Sequence, residues 1–190
     1  MVLSTIDEKP ALIVIDLQQG LASVPYAHDY RAIVQRAASL ASSFRRLELP
    51  VVLVNVAGRA PGRTDEGGGP LQDLPPEWTE LEEALQARDT DLRVTKRQRG
   101  PFHDTALEEL LRARGVTQIF LAGVFTSQGV ESAARTAYDG GYNVVLVVDA
   151  MTDADAAAHE NSVERIFPKL GETSTCDEVV AMLERVHDAR

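Results

Sequence analysis

Asp16, Lys96 and Gly129 stand at three places where a run of branched apolar residues ends. Asp16 closes Ala11-Leu-Ile-Val-Ile, Lys96 closes Val94-Thr95, and Gly129 lies just past a third run that ends at Val124. In an open parallel sheet, ligands bind beyond the carboxyl ends of the strands, so three such ends can share one crevice. A carboxyl group there can give or take a proton, and an ammonium group beside it can stabilise the charge that results. The corner Gly123-Val-Phe-Thr-Ser-Gln-Gly129 opens a helix, where backbone N–H groups converge on a ligand. It carries no thiol, so chemistry built on it proceeds without a covalent acyl intermediate at that position. Ser127 reads as a helix cap or pocket wall rather than a substitute nucleophile. Cys176, the single cysteine, reads as a partly buried structural thiol, and it rules out an intramolecular disulfide. Taken alone, Asp16 is equally a strand-end carboxylate that caps a turn; the convergence is what favours chemistry.

The elements that must position these residues alternate. Strands are expected over 11–16, 50–55, up to Lys96, over 117–124 and over 142–148. Helices are expected over 29–47, where Ile33, Ala37, Leu40, Phe44 and Leu47 fall at helical spacing, and over 105–114, 130–139, 154–163 and 176–186. Gly115 and Gly140-Gly141 stop two of them, and Thr175-Cys-Asp-Glu178 fits a capping box. This order predicts one α/β domain over residues 1–190, a three-layer α/β/α sandwich around a mostly parallel sheet of about six strands. The long irregular stretch over 57–78, with Gly58, Gly62, Gly67-Gly-Gly69, Pro70 and Pro75-Pro76, is of a length usually given to function.

Composition narrows the partners. A formal charge of -10 with only 19 Lys and Arg leaves no basic stripe for nucleic acid. No apolar run approaches the roughly 20 residues of a membrane span, and the N-terminus lacks the pattern of a signal peptide. The expected setting is cytoplasmic, with a small-molecule substrate. Arg59 and Arg63 in the long loop, and Arg97 and Arg99 after Lys96, could border the crevice and hold a carboxylate, with Arg59 and Arg63 favoured. Gln18, Phe125 and Thr126 line the same strand ends, and Phe102 serves as pocket wall or core. The four histidines show no ligand spacing, and the glycines of the loop form no nucleotide fingerprint. Neither a metal nor a cofactor is expected.

Ile15-Asp16-Leu17-Gln18, Thr95-Lys96, Gly123-Val-Phe-Thr126 and Asp149-Ala150, in that order, resemble the isochorismatase-like (cysteine hydrolase) superfamily over about residues 10–183. Most members carry an Asp–Lys–Cys triad. The resemblance implies that Asp16 and Lys96 are its first two members and that Gly129 stands at the nucleophile's position. Isochorismatases proper share that glycine and use the aspartate as a general acid on a vinyl ether. The resemblance also implies a cis peptide between Val124 and Phe125 and assembly into a homo-oligomer. Nicotinamidase-type members carry metal ligands after the second strand, where this chain has Asn55-Val-Ala-Gly-Arg59. Three readings follow: a vinyl-ether hydrolase with Asp16 as general acid, an amide or ester hydrolase with Asp16-activated water, and an inactive ligand-binding or oligomeric structural subunit.

Overall fold

The branched apolar runs pair edge to edge into one sheet. In the computed structural model, which describes residues 3–65, 67 and 74–188, its strands are β1 (Pro10–Ile15), β2 (Val51–Val56), β3 (Leu92–Lys96), β4 (Gln118–Val124), β5 (Asn143–Thr152) and β6 (Glu172–Ser174). Their order is β3-β2-β1-β4-β5-β6, and every pairing is parallel. β1 and β4 are buried at every position because helices cover both faces, which is why they read as unbroken apolar runs. β3 is an edge strand that buries Val94 and Lys96 and exposes Arg93 and Thr95, so its sequence signal is weak. β6 has none, since Glu-Thr-Ser carries no apolar pattern.

α1 (Tyr30–Arg46) and α5 (Cys176–Asp188) cover the face that presents Leu12, Val14, Leu53 and Phe120. Phe44 meets Phe120 edge-on at 5.4 Å. α2 (Leu107–Ala113) and α3 (Glu131–Asp139) cover the other face, with Ile13, Ile15, Ile119 and Leu121. The result is the expected three-layer sandwich. Asp29 caps α1 by accepting from Arg31 N at 3.0 Å. Thr175 and Glu178 exchange backbone bonds at the start of α5, as the capping box requires. The helix expected over 154–163 is shorter: α4 (Ala156–Asn161) gives way to a π-helical turn, Ser162–Ile166. Within the long loop, residues 66 and 68–73, including Gly68, Gly69 and Pro70, lie outside the described residues.

Chain order leaves β1 flanked by β2 on one side and β4 on the other, so connections run outward in both directions. That reversal opens a crevice at the carboxyl ends of β1 and β4. Ile15 pairs in register with Gly123, which sets Asp16 against the corner that follows β4. Gly123 has φ 119, and a side chain there would fall on the Ile15 backbone, so glycine is required for the two strands to meet. Residues 76–85 form a strap of two short 3-10 turns tied to the loop after β1, with Gln19 N donating to Glu80 O at 2.8 Å and Glu82 N to Leu17 O at 3.0 Å.

Candidate active site

Asp16 is the first residue past β1, and its backbone turns into the left-handed region at φ 55. Asp and Asn tolerate this conformation better than other side chains do. Its N–H still donates to Val54 O at 2.9 Å, which holds it to the sheet. Lys96 ends β3, two strands away, and its side chain spans that distance to bring Nζ within 2.6 Å of Asp16 Oδ2. Both side chains are almost fully buried, at 3% and 5% exposure. Lys96 Nζ also donates to Gln98 O at 3.1 Å. Asp16 Oδ1 has no hydrogen-bond partner among the described residues.

Burial pushes the Asp16 carboxyl up to about 6, although the charge and hydrogen bond of Lys96 pull the other way. Loss of hydration therefore outweighs the ion pair. Gly129 completes the group: a Cβ there would stand 3.5 Å from Asp16 Oδ2 and 3.2 Å from Ile15 Cγ2. The three strand-end residues named from the sequence thus meet.

The Val124–Phe125 peptide is cis, and residues Thr126–Val130 form a π-helical turn before α3. Gln128 N and Val130 N both donate to Phe125 O, at 3.1 and 3.2 Å. Phe125 packs on Tyr26 with ring centroids 5.4 Å apart, and Tyr26 stacks on Tyr30 at 5.0 Å. Thr126 is fully buried, with Oγ1 2.8 Å from Nδ1 of His159 on α4. Ser127 donates from both N and Oγ to Asp153 Oδ2, at 2.7 and 2.8 Å, so its hydroxyl is engaged by that carboxylate at the start of the turn. Tyr26, Asp153 and His159 were not legible as site residues. Asp153 follows the end of β5 as Asp16 follows β1 and could have been found by the same strand-end rule; the other two carry no local pattern.

The other residues named from the sequence have their own settings. Gln18 is buried, and its amide is consumed by backbone: Nε2 donates to Val56 O and Trp78 O, and Oε1 accepts from Val56 N. It is a brace for the strap, not a free group for substrate. Phe102 packs against the α2–α3 core, 6.3 Å from the Tyr142 ring. Arg59, Arg63 and Arg99 are exposed, and Arg97 donates to Ala57 O at 3.3 Å. Cys176 is buried, and burial together with Asp149 raises its thiol, so it holds its proton. Among the described residues no three His, Cys, Asp or Glu side chains gather as metal ligands. A cavity of about 390 Å³ lies between the strap and β2–β3, lined by Asn55, Thr79, Glu80, Arg93 and Thr95. Thr95 and Lys96 point to opposite faces of β3, so this cavity is separate from Asp16.

The family model for the isochorismatase domain matches residues 10–178. The chain is 39% identical over 181 residues to the uncharacterised isochorismatase family protein YecD of Escherichia coli O157:H7, covering 91% of this chain and 95% of that protein. It is 29% identical to the maleamate amidohydrolase of Pseudomonas putida, over 94% of this chain and 88% of that one. An isochorismatase family protein from Burkholderia thailandensis superposes with a TM-score of 0.90 at 40% identity, covering 95% of this chain and 98% of its own.

Proposed function

This chain belongs to the isochorismatase family of hydrolases, and from that premise we propose that it hydrolyses a small-molecule vinyl ether by acid–base catalysis at Asp16, with no covalent intermediate. The observation that carries this reading is the Asp16 carboxyl itself: buried, raised to about 6, one oxygen on Lys96 and the other bare. A carboxyl in that state is half protonated near pH 6 and still partly protonated at neutrality, with an oxygen free to deliver the proton. The proton adds to the terminal vinyl carbon, leaving an oxocarbenium ion and the Asp16 carboxylate. Lys96 stabilises that carboxylate as it forms. Water adds to the cation and returns a proton to Asp16, and the hemiketal collapses to a ketone and an alcohol. Gly129, where the resemblance places a nucleophilic cysteine, gives the substrate room beside the carboxyl. Phe125 is proposed to line its path, while Thr126, fully buried on His159, backs the corner instead; Arg59 is the candidate for a substrate carboxylate. Assembly into a homo-oligomer is part of the same reading, and light scattering on the purified protein tests it.

A second reading has Asp16 as general base, activating water for attack on an amide. The similarity to a maleamate amidohydrolase is what favours it. The two differ in the sign of their pH dependence. A general acid loses kcat/KM as pH rises past about 6, whereas a general base gains it over the same range. Turnover of isochorismate and of simple aliphatic amides, measured from pH 5 to 8 beside Asp16→Asn, decides between them. Amide turnover rising with pH would replace the first reading with the second, and no turnover of either class would overturn both.

A further inference from the structure

Three consecutive side chains of the corner are each held by a different element. Phe125 is packed by Tyr26 from the loop before α1, Thr126 is bonded by His159 from α4, and Ser127 is bonded by Asp153 beyond β5. The middle tie is the most buried, with Thr126 at 0% and His159 at 9% exposure. Behind it the His28 ring packs on His159, centroids 4.7 Å apart, and His28 Nδ1 lies 2.9 Å from Thr152 Oγ1. The backbone closes the circuit, since Ala27 N donates to Asp153 O at 2.8 Å.

We propose that His159 is a positioning residue for the site: through Thr126 it fixes the strand-to-helix corner and so holds Gly129 against Asp16. It touches no reacting atom. Within the π-helical turn Gln128 N and Val130 N both donate to Phe125 O, and Glu131 N donates to Thr126 O and Gln128 O, bonds that all stay inside the corner. The side-chain ties are what join the corner to the neighbouring elements. A neutral imidazole suits this task, since one ring nitrogen can meet the Thr126 hydroxyl without a buried charge. Groups facing the ring are His28 from the loop before α1, Asp153 after β5 and Glu160 from its own helix; burial and His28 lower the His159 pKa, outweighing the two carboxylates. A corner free to move would admit water to Asp16 and let its carboxyl fall back toward the ordinary range.

The role in catalysis rests on the proposed function, but the positioning is tested without any substrate. Amide hydrogen exchange at Gln128 and Val130 is followed in the wild-type protein, His159→Phe and His159→Asn, with the β4 amides of Phe120 and Leu121 as an internal reference. His159→Phe is expected to speed exchange at the two corner amides at least tenfold while leaving β4 unchanged. His159→Asn, whose amide can replace Nδ1, should restore most of the protection. Thr126→Val removes the same bond from the other end and serves if His159→Phe does not fold. Unchanged corner exchange, or equal acceleration in corner and β4, would overturn the proposal. Where turnover is measurable, kcat should fall about tenfold in His159→Phe at constant KM. Loss of corner protection in a protein that turns over neither substrate class would refute the proposed function and leave the positioning intact.

Discussion

Two buried ion pairs in this molecule use the same chemistry to opposite ends. Arg45 on α1 meets Asp91 just before β3, with Nε and Nη2 on the two carboxylate oxygens at 2.9 and 2.7 Å. Asp91 Oδ2 also accepts from Arg88 N at 2.7 Å, and Arg45 Nη1 donates to Leu85 O at 3.0 Å. Every oxygen of that carboxylate is engaged. Lys96 and Asp16 are as deeply buried, yet they share one contact and leave Asp16 Oδ1 bare. A buried carboxylate with a full set of donors is a clamp, and one with a bare oxygen is held ready for something the chain does not supply. Burial alone does not separate the two; the completeness of hydrogen bonding does.

The sharpest way to break this contrast is Asp16→Asn. Asn accepts the left-handed backbone at position 16 and mimics the protonated carboxyl in shape, so the variant is expected to fold. Its turnover should drop by about 10³-fold, within the range for loss of a general acid. At pH 4 its stability in urea should match the wild-type protein within about 1 kcal/mol, because the carboxyl is then protonated in the folded protein and partly protonated in the unfolded chain as well. Arg45→Met should do the reverse. Leaving Asp91 buried without its partner costs about 3–5 kcal/mol, with kcat of the remaining folded protein unchanged. If Asp16→Asn loses as much stability as Arg45→Met, the two pairs are the same kind of structure and the contrast fails.

Stability against pH sharpens it further. A raised carboxyl favours the folded state while protonated, so the contribution of Asp16 is fully present below about pH 4 and is lost as pH rises through about 6. The whole loss is on the order of 3 kcal/mol, since each tenfold change in proton affinity between the folded and unfolded chain is worth about 1.4 kcal/mol. Urea titrations from pH 4 to 7 should show the wild-type protein weakening by this amount relative to Asp16→Asn. A flat difference between the two would mean that Lys96 keeps the carboxylate as comfortable as it is in water.

The same contrast explains what was legible in the sequence. β1, β2 and β4 could be read because strands buried on both faces spell themselves in branched residues, and Asp16, Lys96 and Gly129 could be read because each interrupts or ends such a run. β6 could not, since an edge strand of three polar residues is held by its neighbour rather than by its own pattern. Gln18 looked like a site residue for the same reason Asp16 did, being polar just past β1. Only the fold shows that its amide is consumed by Val56 and Trp78 while the Asp16 carboxyl is not. His159 was unreadable because its partner, Thr126, is 33 residues away in sequence. Hydrogen-bond completeness is a property of packing, and no local spacing encodes it.

Gly129→Ala gives the smallest of the expected effects and tests the approach to Asp16 from the corner. The new methyl would lie 3.2 Å from Ile15 Cγ2 and 3.3 Å from Val124 O, closer than ordinary contact, so its neighbours must yield by a few tenths of an ångström. Small additions to a packed core cost about 1–3 kcal/mol, and here the lower end applies because one neighbour is a side-chain methyl. The same methyl would reach within 3.5 Å of Asp16 Oδ2, the oxygen that Lys96 also holds, and would narrow the space beside the carboxyl. Substrate binding should therefore suffer more than folding: KM should rise severalfold while the urea midpoint moves only slightly. An unchanged KM would mean that substrate approaches Asp16 from another side, and Gly129 would then be glycine only because Ile15 and Val124 leave no room for more.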